Sequence, residues 1–544
     1  MVYPQIMSER RRSWWAWGYE DEEPDNAEKT RIAGAINQRF GIDVPIKPNP
    51  DLDAIDLPAA RIDPPTQFES LCRNDPHERA RHAIGHNFRD LVRKIYHQLP
   101  TPPDFVVYPE TEADVVGILD WCSDKNVAAI PYGGGSSVVA GYEFEGDGFV
   151  GVASIDMTRM NKVLEVDPVS RAARIQGGAL GPELEAQLRP HGYTLRHFPQ
   201  SFEFSTLGGW LATRSGGHYA TVYTHIDDMC ESLRVVTPAG VSESFRLPGS
   251  GAGPSHDRLF MGSEGALGVI TEAWMRIQDR PTFKASATAH FTDTYTGADA
   301  VRALTQSALF PTNCRLLDPV EAAAAAGVTD GTAVVVLGFE SADHDLTAWM
   351  DRAIELCNDH GATAISGLTI TSPQDKADRP AGRDGTAGAW RNAFIRAPYD
   401  RNSLAAMSMI TETFETSTTW DRFPEMHAGI METVSDAVNR ICGSGAVSVR
   451  FTHAYPDGPA PYYTILAPGR PNSEIQMWDE IKAAASDALI EYGSTITHHH
   501  AVGRDHDPWY QRQISDPMKL ALAGAKSALD PAGVMNPGVI VPAR

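Results

Sequence analysis

The sequence predicts an α+β protein with two principal domains, on three observations. The chain has 544 residues, 42% of them hydrophobic, enough for two or three domains with cores of their own. From Phe105 the pattern runs strand, helix, strand and ends in a cluster of glycines. After Pro281 it changes to β-rich runs alternating with long amphipathic helices, the pattern of an antiparallel sheet covered by helices.

Residues 1–100 are rich in charge and proline ("PIKPNPDLDAIDLPAARIDPP") and predict an arm followed by one helix over "HERARHAIGHNFRDLVRKIYHQL". Within the arm, "RRRSWWAWGY" sets Trp14, Trp15, Trp17 and Tyr19 behind three arginines. Packing of these rings onto the main body is expected, with a lipid interface as the rival reading. The block from 101 to 280 opens with "FVVYP", a helix over "TEADVVGILDWCSDKN" with Thr111 as its cap, and the buried strand "VAAIP". Further strands follow at "FVGVASI", "NKVLEV" and "AARIQGG", then a helix at "GPELEAQLRPHG" and a hairpin at "LRVVTPAGVSESF". The second domain, 281–500, reads "FKASATAHF", "GADAVRALTQSALF", "TAVVVLGFE" and "DLTAWMDRAIELCNDHG", with later strands at "AVSVRFTHAY" and "YYTILA". "VEAAAAAGV" is a short helix, no repeat has a fixed period, and residues 501–544 are expected to return to the first domain.

Charge and cysteine usage narrow the function. With 47 Lys+Arg against 70 Asp+Glu, the formal net charge is −23, which repels nucleic acid and anionic membrane surfaces alike. An anionic substrate must then be held by a few arginines inside a pocket. Cys72, Cys122, Cys230, Cys314, Cys357 and Cys442 have neither zinc-knuckle nor disulfide-framework spacing, so a reducing, cytoplasmic compartment is expected. There is no apolar run of eighteen residues, no apolar core in the leading segment, and "VPAR" is not an SKL-type address.

Three segments concentrate small residues. "PYGGGSSVVAG" places Pro131, Gly133, Gly134, Gly135, Ser136 and Ser137 directly after a strand. Glycines there let successive N–H groups converge on one point, a geometry suited to a pyrophosphate. The spacing is neither that of a P-loop nor GxGxxG. "PQSFEFSTLGGWLATRSGGHYA" adds Gln200, Ser201, Thr206, Gly208, Gly209, Thr213, Ser215 and Gly216; "GSEGALGVIT" adds Glu264, Gly265, Gly268, Val269 and Ile270. A single such segment is a turn; three in one domain are better explained by a long, flat, polar-ended ligand lying against backbone.

The run "STITHHHAVGRDHD" has three readings: a metal site with His453, Asp457, Asp505 or His506 as further ligands, a proton-transfer site, or a solvated turn. As an extended strand it would turn His498 and His500 to one face and His499 to the other.

The ordered set "PYGGGSS", "FEFSTLGGWLATRSGG", "FMGSEGALGVITEA" and "THHHAVG", together with "WAWGY" and "FETSTTWDRF", resembles flavoproteins of the vanillyl-alcohol oxidase type, and among them the alkyldihydroxyacetonephosphate (alkylglycerone-phosphate) synthase family. The likeness covers nearly the whole chain; the glycine loops are common to the superfamily, whereas "EFSTLGGW" and "HHH" are narrow to that branch. It implies a two-subdomain FAD-binding domain over 101–280, an α+β cap domain with an antiparallel sheet over 281–500, and non-covalent FAD, Ser136 standing where some relatives carry a flavin-linked histidine. It also implies a reaction without net redox change: the acyl group of acyl-dihydroxyacetone phosphate is exchanged for a fatty alcohol, with loss of a C1 proton. Carried over residue by residue, the resemblance assigns Arg401 to the substrate anion and Arg315 to substrate or flavin charge. It gives Tyr462, His499 and His500 to proton transfer, with no metal. Taken without it, each arginine reads as a salt-bridged or solvated residue and Tyr462 as core packing. A homodimer and peripheral membrane contact are further expectations.

Some residues depart from that family. Gln200 replaces an acid, Ala501 replaces a glycine and Arg504 replaces a lysine, while "LDPAGVMNPGVI" is similar to the ending of D-lactate and glycolate-type flavin dehydrogenases. An FAD-dependent oxidase or dehydrogenase of a 2-hydroxy acid or alcohol is therefore the alternative. A flavin-free scaffold is disfavoured by the three intact small-residue segments.

Overall fold

A computed structural model describes residues 10–99, 101–219, 221, 224–378 and 386–542. The first nine residues and the last two, on which the readings of the leading and C-terminal segments partly rest, lie outside the described residues.

Three sheets carry the architecture. The first has β1 (Cys72–Arg73), β2 (Phe105–Val107), β3 (Val127–Tyr132) and β4 (Gly151–Asp156) in the order β1-β2-β4-β3. β2, β4 and β3 run parallel, so β4 slots between the two strands of the expected β-α-β unit. The crossover helix Glu112–Lys125 starts in a capping box between Thr111 and Asp114 and stops at Asn126, which takes the left-handed conformation. The second sheet, in the order β5-β6-β10-β8-β9, is antiparallel: β5 (Val163–Asp167), β6 (Ala172–Gln176), β8 (Cys230–Thr237), β9 (Gly240–Glu243) and β10 (Val269–Arg276). A short pair, β7 (Tyr193–Thr194) with β11 (Gln278–Asp279), lies beside it.

The third sheet has seven antiparallel strands: β12 (Phe283–Phe291), β13 (Asn313–Leu317), β14 (Ala333–Ser341), β15 (Ala364–Thr371), β16 (Met409–Glu415), β17 (Ala446–Ala454) and β18 (Pro459–Pro468). Their order is β15-β12-β14-β13-β17-β18-β16. One face packs on the helices Thr294–Gln306, Thr347–Asp359, Phe423–Cys442 and Glu474–Glu491, whose apolar stripes close the largest core. Residues 534–536 come back to the first sheet: Ala129 N–H donates to Val534 and Asn536 N–H to Ala129, at 2.8 and 2.9 Å.

The N-terminal hundred residues differ from expectation in two places. The segment 77–99 is not one helix but two, Pro76–Arg81 and Phe88–Ile95, broken where Gly85 passes the glycine-rich loop. A Cβ on Gly85 would meet Ser137 O at 2.6 Å, the His86 N–H donates to that same oxygen, and Asn87 caps the second helix in a box with Asp90. A further helix, Asn26–Phe40, falls where only arm was expected; it buries Lys29, Ala33 and Ile36 alone, too sparse a stripe to announce itself. The aromatic arm is packed inward: Trp15 is fully buried, Trp17 Nε1 donates to His86 O at 3.0 Å, and Arg12 stacks 4.1 Å over Phe204. These rings face protein, not lipid.

Candidate active site

Every residue assigned above to cofactor, substrate or proton transfer lines one cavity of ≈ 250 Å³, and of the further metal candidates His453 alone does. Its floor is made of backbone. β3 ends at Tyr132 and the chain continues as Gly133–Ser137, whose N–H groups donate to no protein acceptor among the described residues. Gly134 and Gly135 are buried, so these are donors withdrawn from water and still unsatisfied by protein. Side chains are sterically barred here: a Cβ on Gly134 would lie 1.8 Å from Phe204 O, and Gly135 has φ +72°. Facing the loop, Thr206 caps the helix Leu207–Thr213 by accepting the Gly209 N–H at 3.2 Å, and Gly208 N–H donates to Gly177 O at 2.7 Å. The third segment closes the side, with Gly265 at φ +77° against Pro131. A row of amide donors with no side chain in front of it is a seat for a diphosphate.

Glu264 ties this floor to the histidine loop. Its carboxylate accepts the Val502 and Gly503 N–H groups at 2.8 and 2.9 Å, and burial pushes its pKa up to about 7.

The histidine run is not an extended strand. Residues 498–500 bend around the Glu415 carboxylate, which ends β16 and is 2% exposed. The N–H groups of His498, His499 and His500 all donate to it, as does the Thr497 hydroxyl at 2.6 Å. Three consecutive amides can reach one acceptor only if the chain curls, and this curl places His499 and His500 in the cavity wall with His498 behind them. His498 Nδ1 lies 3.0 Å from His499 Nδ1, and its Nε2 lies 2.8 Å from Tyr455 Oη and 3.2 Å from His225 Nε2. A hydrogen-bonded path thus leads from the cavity towards half-buried Tyr455.

Burial depresses the pKa of every imidazole in the cluster. His498 falls to about 3, His453 and His499 lie well below the usual value, and His500 is lowered, the Glu415 charge opposing burial at the last two. Among the metal candidates, Asp505 is paired with Arg89, His506 bonds Ala501 O, and Asp457 sits exposed in the turn before β18. His453 alone joins the run: its potential ligand nitrogen and those of His498 and His499 lie within 4.8 Å of one another. The 3.0 Å Nδ1–Nδ1 separation is that of a hydrogen bond.

Three arginines bring positive charge to the same lining. Arg315, on β13, is 1% exposed and donates to the His218 carbonyl; burial, and then the like charge of Arg450, push its pKa down to about 9. A cation so disfavoured is stabilised by an entering anion. Arg401 reaches the cavity from the helix Thr386–Ala406. Arg450, opposite Tyr462 in the β17–β18 register, donates to Glu321 at 2.5 Å and stacks 4.2 Å over the Tyr462 ring. That ring stands 6.0 Å from His499 and 5.4 Å from His500, centroid to centroid. Glu415 and Arg450 escaped sequence reading. The visible signal was charge inside largely buried strands: Glu412 and Glu415 in "ITETFE", and Arg450 in "AVSVRFTHA".

Comparison with known proteins agrees with this geometry. The family model "FAD binding domain" matches residues 103–244, and "FAD linked oxidases, C-terminal domain" matches 280–540. The alkyldihydroxyacetonephosphate synthase of Dictyostelium discoideum is 31% identical over 518 residues, 90% of this chain and 83% of that protein. The glycolate oxidase subunit GlcD of Bacillus subtilis (strain 168) is 26% identical over 472 residues, 83% of this chain and 93% of its own. A solved alkyldihydroxyacetonephosphate synthase structure superposes with a TM-score of 0.77 at 24% identity, covering 96% of each chain.

Proposed function

The chain belongs to the alkyldihydroxyacetonephosphate synthase family, and from that premise we propose that it exchanges the acyl group of acyl-dihydroxyacetone phosphate for a fatty alcohol, forming the precursor of an ether lipid. The observation that carries the reading is the meeting, in one cavity, of a donor-lined floor, a guanidinium wall and a wall of neutral imidazoles.

The residues present fit FAD. The amide donors of Gly133–Ser137 have no protein acceptor among the described residues, and the loop lies so close to the Phe204 carbonyl that Gly134 can carry no side chain. The pyrophosphate would be held there, and the remaining walls by Gln200, Ser201, Thr206, Gly208, Gly209, Thr213, Ser215, Gly216, Glu264, Gly265, Gly268, Val269 and Ile270. Ser136 offers no imidazole for a covalent link, so the cofactor is held without one. When bound, FAD supplies an electrophilic ring that takes up an electron pair and returns it, which is why the exchange needs no external oxidant.

The protein's own residues supply the rest. Arg315 and Arg401 hold the substrate phosphate, the former as a planar donor already stripped of water. That contact fixes C1 beside Tyr462, His499 and His500. Being neutral at pH 7, these imidazoles accept the proton lost from C1, and Tyr462 orients it. The C1–O bond to the acyl group breaks and a carboxylate leaves. The alcohol oxygen then bonds to C1, its proton is taken by the same groups, and one proton is returned to C1. Acid and alkyl product balance ester and alcohol, with no net change of oxidation state.

The same proposal takes residues 101–280 as the cofactor domain and 281–500 as the cap. It includes a homodimer, a cytoplasmic location and peripheral membrane contact where lipid substrates reside. No helix among the described residues is long and apolar enough to cross a membrane.

Likeness to the glycolate oxidase subunit supports a second reading, oxidation of a 2-hydroxy acid or alcohol. Anaerobic mixing separates the two. Acid-for-alcohol exchange with the flavin bands intact is expected; bleaching by glycolate or D-lactate, with no exchange, would replace the synthase with the oxidase.

A further inference from the structure

Glu415 is a carboxylate with no substrate in reach of its own, since it lies behind the histidine loop and does not line the cavity. It nonetheless accepts from four donors, three of them consecutive backbone amides. Oε1 accepts the His500 N–H at 2.9 Å, the His499 N–H at 3.1 Å and the Thr497 hydroxyl at 2.6 Å. Oε2 accepts the His498 N–H and shares that of His499 at 3.2 Å. In addition, Nδ1 of His499 and Nδ1 of His500 each stand 3.6 Å from one of its oxygens. In the β16–β18 register Glu415 is paired with Tyr462. One side chain is therefore the anchor of both histidines given the proton-transfer role, and its strand neighbour is the third group, Tyr462.

We propose that Glu415 is the positioning residue of the reaction, holding the histidine loop in its curl and setting a buried carboxylate 3.6 Å from a ring nitrogen of His499 and of His500. The inference rests on the synthase reading for what the proton transfer accomplishes, but not for the anchor itself. Its logic is that of any base oriented by a third group: a fixed carboxylate against an imidazole sets the ring's direction and stabilises the cation formed when the ring accepts a proton.

The groups facing the pair from every side are few. His498 lies behind, with His225 beyond it, and His453 comes from β17. Tyr462 comes from β18, and Arg401, also in the lining, acts on His500 through its charge. Lys482, on the helix Glu474–Glu491, is paired with Glu412 at 2.7 Å. Among these, Glu415 is the one unpaired anion next to the rings. Burial lowers His499 and His500, and Glu415 is the first-ranked influence opposing it; reciprocally, burial disfavours the Glu415 charge and the three histidines hold its pKa far down.

The test is Glu415→Gln, read in three ways on the flavin-loaded protein. The amide keeps the shape but brings no charge and has one acceptor oxygen for donors that now use two. Turnover is expected to fall ten- to a hundredfold with KM within about threefold, and the acid limb of the pH profile to move to lower pH, because imidazoles without the anion protonate later. Glu415→Asp keeps the charge and should restore the limb to its original pH while leaving turnover reduced. Thr497→Val, which removes one donor and leaves the charge, should not move the limb at all. Carbon-13-labelled histidine, titrated by NMR in the same variants, reads the basicity of the cluster without any turnover: a downward shift in Glu415→Gln alone is expected. If exchange activity is absent from the wild type, the synthase reading fails while the titration still decides the anchor. Should Glu415→Gln not fold, Glu415→Asp and Thr497→Val carry the test. A folded, flavin-loaded Glu415→Gln with unchanged turnover, limb and titration overturns the proposal, as does an Asp variant with wild-type turnover.

Discussion

Replacing Gly134 with alanine asks whether the amide floor is as tightly built as it looks. The added Cβ would sit 1.8 Å from Phe204 O, 2.4 Å from Phe204 C and 2.9 Å from Ser205 Cα. All three are backbone atoms, so no side chain can swing away; the loop and the Phe204 turn must part by an ångström or more. Overpacking of this kind costs about 1–3 kcal/mol. Each displaced amide also weakens a charge-assisted hydrogen bond worth about 1.5–3 kcal/mol. A combined loss of about 3 kcal/mol is a hundredfold in affinity, at about 1.4 kcal/mol per decade. The expected outcome is a protein purified with little flavin absorbance near 450 nm and a fluorescence-titrated FAD Kd raised at least a hundredfold. Gly34→Ala is the control: that glycine lies in the helix Asn26–Phe40 with nothing within 4 Å of a new Cβ. It should load fully and gain up to about 1 kcal/mol of stability from helix propensity. A Gly134→Ala protein with full flavin and a Kd within threefold of wild type would refute the cradle.

Arg315→Met should raise KM for the phosphate substrate about 10- to 100-fold, the worth of one or two charge-assisted bonds. The thermal midpoint should hold, because a costly buried cation is removed; a kcat loss at constant KM would count against the anion role. His427, 6% exposed beneath Phe423 and Tyr463, is held by burial at a pKa of about 4, against about 6.5 unfolded. Its folded value is depressed, so its contribution, about 3 kcal/mol, is full above pH 6.5 and is lost as pH falls to about 4. Urea titrations of His427→Phe should therefore show a shallower acid decline; equal slopes would exclude His427 as a source. Dialysis against EDTA should leave turnover unchanged, and stoichiometric zinc found by elemental analysis together with its loss on chelation would assign His453, His498 and His499 to ligation instead.

Where the sequence was legible, the reason is local. Gly134 and Gly135 are readable because a loop pressed against the Phe204 carbonyl and the Tyr132 hydroxyl tolerates no side chain, and three such segments announce one surface. A strand such as "TAVVVLGFE" in the third sheet is readable because it buries a nearly continuous apolar run, whereas Ala364–Thr371 at the sheet's edge buries no residue and shows no such run. What stayed hidden depends on distant partners. The curl of His498–His500 is imposed by Glu415, more than eighty positions earlier, and no property of "THHHAVG" encodes it. The break at Gly85 is likewise dictated by Ser137, and the segment's helical periodicity gives no warning of it. Helix Asn26–Phe40 was missed for the opposite reason: it buries only three residues fully, with Ile32 and Phe40 partly covered beside them.

The stitching of residues 534–536 onto Ala129 has a temporal side. The Asn536 amide that bonds Gly141 and Glu264 is made 395 positions after Gly141. A ribosome adding about 5–20 residues per second reaches it some 20–80 s later. Until then the strand leading into the glycine loop has one edge bare. Flavin capture is thus a late event in biogenesis, and a chain cut short by even its final tenth should emerge colourless.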